Sequence, residues 1–309
     1  MSKKLWQPSL IVKKNSNLFA FENYISKKLK IKFNRNYKKL LNWSIKNSPE
    51  FWSRFWDFSK IKGIKSNKNF RKSKIFYKNL FLPGSRLNFG ENLLSKNNNE
   101  KAVTFISENG FREERSWRQL NLNTNKISKF LKKINIKKGD RVAAYMPNTI
   151  ETVEAFIATT SLGGIWSSCS PDFGSKGVIE RFSQINPKVL FITDQYFYNG
   201  KKIDILNRLP EILKLIPSIK SVVISNYPGK KFIKNKYKFK KINLFKWNEL
   251  MQTNAEKIDF KRFDFETELA ILYSSGTTGK PKCICHRSGG VLIQHMKEHQ
   301  LHCNIKEND

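Results

Sequence analysis

The chain has 309 residues, 58 Lys and Arg against 25 Asp and Glu, and a formal charge of +33, with 39% apolar residues, enough to build a real core in one large domain or two ordinary ones. No run approaches the ~18 apolar residues of a membrane span, and the N-terminus lacks the apolar stretch of a signal peptide. The four cysteines (Cys169, Cys283, Cys285 and Cys303) have no disulfide-framework spacing, so a cytoplasmic location is expected rather than a secreted or membrane-bound one. The charge raises a nucleic-acid or anionic-membrane partner. Its excess is mostly Lys, accompanied by Asn, Ile, Phe and Tyr, all with A/T-rich codons, and it is spread over the chain. Codon bias is the better account, and no nucleic acid or membrane is expected as partner.

Residues 1–95 are expected to form a first, helical and aromatic-rich region. Leu18, Phe21 (or Phe19) and Ile25 stand at helical spacing, and two more such stretches follow around residues 37–45 and 49–58. Phe51, Trp52, Phe55, Trp56 and Phe58 crowd the third. Rings among basic residues can stack on single-stranded nucleic acid, but an aromatic core beneath a lysine-rich surface is the better reading.

From about residue 100 the pattern alternates. Residues 103–107 and 112–115 read as a hairpin around Asn109-Gly110. Ser116 and Gln119 stand at capping-box spacing before a helix with Leu120, Ile127, Leu131 and Ile134 on one stripe. Residues 141–146 read as a strand, with Asn148 capping the next helix. Residues 165–168 read as a strand and Ser175 as a helix cap, followed by a strand at 189–193, a helix at 203–215 and a strand at 221–225. Residues 230–246 break the pattern as an exposed edge or insert. Strand, helix, strand in this order implies an α/β fold with a mostly parallel sheet and flanking helices.

The apolar run 269–273 reads as a short buried strand, and it leads into Ser274, Ser275, Gly276, Thr277, Thr278, Gly279, Lys280, Pro281 and Lys282. The glycines permit φ > 0 or close approach of a ligand. Consecutive backbone N–H groups can form an anion nest, with hydroxyls and Lys282 adding donors and charge, which suits a polyphosphate. Residues 282–286 read as a second short strand. The stretch fails the P-loop pattern twice: Ser274 stands where its first Gly is required, and Pro281 follows Lys280. In open parallel sheets ligands sit beyond the carboxyl ends of strands. This loop, Pro147-Asn148 and residues 167–171 all hold that position.

The loop matches the [ST]-[ST]-G-[ST]-T-G-x-P-K signature of the adenylate-forming enzymes. Almost end to end, the chain resembles the acetoacetyl-CoA synthetases (acetoacetate–CoA ligases). The likeness rests on Leu5-Trp-Gln-Pro-Ser9, residues 81–89 with 91–94, residues 163–174, residues 197–201, the loop with residues 283–286, and residues 298–303. It implies a partial adenylate-forming fold, with 1–95 the N-terminal region and 96–309 the first part of an AMP-binding (adenylation) domain. It also implies a ligase that uses ATP, Mg²⁺ and coenzyme A to activate acetoacetate through an acyl-adenylate. Thr278 and Lys282 are the implied catalytic residues, with Ser274, Ser275, Gly276, Thr277, Thr278, Gly279 and Lys282 holding the ATP phosphates. Lys280 sits at the variable position. Where acetyl-CoA synthetases carry two arginines that meet CoA phosphate, this chain has Tyr198 and Lys201. Trp166 either shapes the acyl pocket or packs the core. Acetyl- or propionyl-type short-chain synthetases are the alternative within the class, and a basic nucleic-acid-binding protein the alternative outside it.

His295-Met-Lys-Glu-His299 fits the H-x-x-E-H zinc pattern, but the resemblance accounts for the same residues and no metal ligand is assigned. The adenine and ribose motifs, the acidic Mg²⁺ residue and the C-terminal domain of the adenylate-forming enzymes find no counterpart. The chain is therefore expected to be an N-terminal portion that does not complete the reaction by itself, with Leu292, Met296 and Leu301 needing a partner surface.

Overall fold

The computed structural model describes residues 5–230, 239–254, 256–274, 279–307 and 309. The chain divides into two compact units, residues 1–87 with 264–266 and 289–309, and residues 88–263 with 267–288.

The first unit is built on helices α1 (Asn17–Leu29), α2 (Tyr37–Lys46) and α3 (Ser48–Phe58). Ser16 caps α1 by accepting from the Phe19 N–H, and Asn36 caps α2 by accepting from the Lys39 N–H. Pro49 stands in the first turn of α3, where its missing N–H costs nothing. Of the two phenylalanines left open by spacing, Phe21 is the core residue, fully buried, while Phe19 lies under the Arg35 guanidinium at 5.2 Å. The rings of Phe51, Phe55 and Phe58 surround Phe21 at centroid distances of 5.0–5.6 Å. These aromatics pack on one another beneath the lysines.

The helix Ser288–Lys297 continues into a π-helical turn, Glu298–His302. Leu292 and Leu301 are buried, Met296 is half-buried, and the turn packs on α1. Asn304 Oδ1 accepts from the Asn17 N–H at 2.8 Å, and Lys306 Nζ donates to the Asn15 carbonyl at 2.8 Å.

The second unit centres on a seven-stranded sheet. Its strands are β1 (Arg141–Tyr145), β2 (Ile165–Cys169), β3 (Val189–Thr193), β4 (Ser221–Ser225), β5 (Asn243–Lys246), β6 (Glu268–Ser274) and β7 (Lys282–Arg287). They lie in the order β5-β4-β3-β1-β2-β6-β7, all parallel except β7, which runs antiparallel to β6. On one face Ala143, Tyr145, Leu190, Ile192, Val222 and Ile224 pack with Val178 and Phe182 of helix α6 (Ser175–Phe182) and Leu209 and Ile212 of α7 (Leu209–Leu215). On the other, Trp166 meets Phe156 of α5 (Ile150–Ser161), and Phe191 meets Trp247 of α8 (Trp247–Met251). Burial on both faces explains why the central strands read as continuous apolar runs. The long helix α4 (Trp117–Lys133) begins with the Ser116–Gln119 capping box, both reciprocal bonds formed.

Four sequence expectations are corrected. Helix α5 is capped at Thr149 rather than Asn148, and α6 at Gly174 rather than Ser175. Residues 201–204 are strand, because Asn199 and Gly200 both take positive φ (50° and 71°) and fold Gln195–Tyr198 back onto Lys201–Asp204. Pro210 then starts α7. Strand β6 is only partly buried: Leu272 and its cross-strand partner Ile284 are each 47% exposed, since β7 is an edge strand exposed along most of its length.

A polar cluster is buried between the Arg112–Ser116 strand, α4 and α5. Arg115 lies 2.5 Å from Glu113, 3.5 Å from Glu154 and 3.8 Å from Glu151. Asn123 donates to Glu154 at 2.8 Å, and the second oxygen of Glu154 has no partner. Burial outweighs the arginine, and the Glu154 carboxyl is pushed up to about 8.

Two outcomes are expected. Phe21→Ala lowers unfolding free energy by about 3–5 kcal/mol, the usual cost of emptying an aromatic core site, while Phe19→Ala costs far less; urea titration followed by circular dichroism measures both. The second concerns Glu154, whose folded pKa lies above its unfolded one. Between about 4.5 and about 8 the folded chain holds a proton that the unfolded chain has released, so stability falls as pH rises through that window. Glu154→Gln removes this dependence, which approaches about 1.4 kcal/mol per pH unit. Parallel slopes for the two proteins across the window would contradict it.

Candidate active site

The carboxyl ends of β1, β2, β3 and β6 lie at one edge of the sheet, because these strands are parallel. The loop that follows β6 is closed at its base by backbone pairing: Ser274 and Lys282 are directly opposite each other. Ser275, Gly276, Thr277 and Thr278 lie outside the described residues. Gly279 is exposed at φ +97°, with open space where a Cβ would stand. Only backbone conformation demands glycine there. Lys280 and Lys282 are exposed and Ser274 partly so.

The stems of this loop are held from behind. Ser167 Oγ on β2 lies 2.8 Å from the Ile271 carbonyl oxygen and 3.1 Å from the Tyr273 hydroxyl, which donates to the Arg181 carbonyl at 3.3 Å. Burial holds the Tyr273 phenol above its ordinary range. Arg181 lays its guanidinium over the Phe173 ring at 4.1 Å and over the Tyr273 ring at 5.8 Å. On the exit side Gln184 Nε2 donates to the Pro281 carbonyl at 3.0 Å.

The neighbouring loop, residues 170–174 after β2, is fixed by side chains as well. Arg208 Nη1 donates to the carbonyls of Pro171 (3.0 Å) and Phe173 (2.8 Å), and bonds the Tyr145 hydroxyl. Asp172 accepts from Ser170 Oγ at 2.6 Å and from the Tyr196 hydroxyl at 2.8 Å, and these two bonds hold its carboxyl below the usual range. Burial, with Asp172 adding to it, pushes Tyr196 up to about 12.

Tyr198 and Lys201 face each other across the hairpin, both exposed. At its turn Glu108 accepts from the Asn199 and Gly200 N–H groups at 2.9 and 3.0 Å, so a carboxylate already occupies the two amides there. Trp166 is buried between Phe156 and Phe191, at 5.9 and 6.4 Å, in register with Ala270 of β6. The rings of His295 and His299 lie 6.4 Å apart in the first unit. Among the described residues no group of three or more His, Cys, Asp or Glu could hold a metal ion.

Spacing in the sequence did not reveal Gln184, Ser167, Arg181 or Arg208. Their partners are 35 to 106 residues away, so only the folded arrangement of the sheet and its helices brings them together. The hairpin was missed as well, although Asn199-Gly200 carries its turn signal.

Three comparisons bear on this arrangement. The acetoacetyl-CoA synthetase of Xenopus tropicalis is 38% identical over 321 residues, covering 100% of this chain and 46% of its own length. That of Rhizobium meliloti (strain 1021) is 35% identical over 305 residues, covering 99% and 46%. The solved structure of acetoacetyl-CoA synthetase from Streptomyces lividans superposes with a TM-score of 0.89 at 28% identity, over 98% of this chain and 46% of that one. The chain thus spans just under half the length of the curated relatives it matches. The sequence profile of the AMP-binding enzymes matches residues 92–308, a span that takes in the whole seven-stranded sheet and the loop at its edge, and the chain belongs to that family.

Proposed function

We propose that this chain serves the ATP-dependent ligation of acetoacetate to coenzyme A through an acyl-adenylate. The observation that carries the reading is the signature loop rising from the paired Ser274 and Lys282 at the carboxyl edge of a parallel sheet. Relatives named for the acetoacetate reaction support the acid.

A carboxylate is a poor electrophile, so it first attacks the α-phosphate of ATP and pyrophosphate leaves. The thiol of coenzyme A then displaces AMP. Charge develops on the phosphates in the first step, and donors already in place answer it without reorganising. Lys282, Thr278, Thr277, Ser274, Ser275 and the amides at Gly276 and Gly279 take that role in this reading, with Thr278 and Lys282 closest to the chemistry. Tyr198 and Lys201 are the proposed contacts of coenzyme A phosphate. Trp166 acts from the core by setting the level at which β2 and β6 end, a supporting place that its burial favours over direct contact with the acid. Mg²⁺ is the ion this chemistry calls for, but the described residues offer no cluster of carboxylates to hold it. None of the described helices is long and apolar enough to cross a membrane. With four free cysteines the chain suits a reducing cytoplasm.

An assay of AMP formation by the full-length enzyme with acetoacetate, acetate and propionate in turn tests the acid, and preference for either of the last two would replace acetoacetate in this reading. Saturable DNA binding that persists at physiological salt would instead favour a nucleic-acid role. In the full-length enzyme Lys282→Ala and Thr278→Ala are each expected to slow adenylate formation on the order of 10²–10³-fold, the usual cost of one such donor. Thioester formation from supplied acyl-adenylate should change far less. Equal losses in both half-reactions would contradict the phosphate-holding role.

A further inference from the structure

One helical turn grips both stems of the loop. The Tyr273 hydroxyl, at the end of β6, donates to the carbonyl of Arg181 at 3.3 Å. The Gln184 amide nitrogen donates to the carbonyl of Glu180 at 2.8 Å and to that of Pro281 at 3.0 Å. A primary amide has two N–H donors, and both are used here, one inside the turn and one across to the loop. Pro281 has no N–H of its own, so its carbonyl is the only backbone handle on that residue. The next residue is Lys282, whose backbone is also fixed by pairing with Ser274.

We propose that Gln184 is a positioning residue for Lys282: by anchoring the Pro281 carbonyl it sets where the Lys282 side chain leaves the backbone, and so where its ammonium meets a polyphosphate. This rests on the phosphate reading of the loop. A flexible side chain delivers its charge only as accurately as its backbone is held, and displacements near 1 Å are costly in a site of this kind. Gln184 is itself exposed, so it contributes little to the core and can be replaced without disturbing the fold. Nothing between residues 275 and 278 is needed for the inference.

Calorimetric titration of the 309-residue chain with inorganic tripolyphosphate, and separately with ATP, tests it. The proteins are wild type, Lys282→Ala, Gln184→Leu and the double variant, with Gln184→Met as a second apolar replacement of similar length. Gln184→Leu and Gln184→Met should each weaken binding about five-fold, equivalent to about 1 kcal/mol, with thermal midpoints unchanged. In the Lys282→Ala background the Gln184 replacements should cost nothing further, a non-additivity that a purely structural role would not produce. Wild-type affinity in both Gln184 variants, beside a weakened Lys282→Ala, would overturn the positioning role and leave the phosphate reading intact. Equal losses in the two backgrounds would overturn it as well. A wild-type chain that binds neither probe, or a Lys282→Ala variant that binds as tightly, would sink the phosphate reading and this inference with it.

Discussion

Strands covered by helices on both faces can present chemistry only at their ends. In the second unit, Val142, Ala143, Ala144 and Tyr145 are all buried, as is every residue of β3 and β4. A ligand cannot reach such a sheet from above or below. Parallel connection then puts every carboxyl end on the same edge, and the loops after β1, β2 and β6 are neighbours because β1, β2 and β6 are neighbours. Of the seven strands, β6 is the one whose exit is a short loop into an antiparallel partner. The signature sequence sits at that exit.

Rigidity behind the loops comes from polar groups placed where the sheet ends. Ser167, Tyr145 and Tyr273 are partly or fully buried and carry hydroxyls that must find partners. They find them in main-chain carbonyls and in one another, and Arg208 Nη1 lies within hydrogen-bond reach of the Pro171 and Phe173 carbonyls and the Tyr145 hydroxyl. The Arg115 cluster solves the same problem less completely. Two of its carboxylate oxygens, on Glu151 and Glu154, have no partner in the described structure. Burial makes a proton on Glu154 the cheaper state there, and Arg115, shared among three carboxylates, does not offset it.

Local signals in the sequence were good guides wherever the local rule also governs the final structure. The strands at 189–193 and 221–225 were legible to the residue, because a buried parallel strand is an uninterrupted apolar run ended by turn residues. The Ser116 box was legible because it is closed within four residues. Spacing failed where tertiary placement decides. Leu272 and Ile284 have the same composition as core residues and are exposed because their strand is next to, or at, an edge. The stretch 203–215 has helical apolar spacing throughout, yet the Asn199-Gly200 turn claims its first residues for a hairpin. Of the loop itself, residue types and order were readable. The Gln184 and Ser167 contacts that hold it were not, since hydrogen bonds spanning about a hundred residues leave no trace in spacing.

The architecture also explains the composition of the loop. Where a phosphate-binding loop leads into a helix, aligned peptide dipoles and unpaired N–H groups supply much of the attraction. Here the chain leads from Gly279 through Pro281 into a strand, β7, whose dipole is small. In the phosphate reading proposed for this loop the donors are therefore local: hydroxyls of the signature's serines and threonines, backbone amides, and a full positive charge from Lys282. Placing that charge on the first residue of a strand, opposite the last residue of another, fixes its backbone from two sides. In that reading the signature's serines, threonines and terminal lysine stand in for the missing helix. The proline before the lysine gives up a backbone donor there, and its one remaining polar group, the carbonyl, is the group that Gln184 holds.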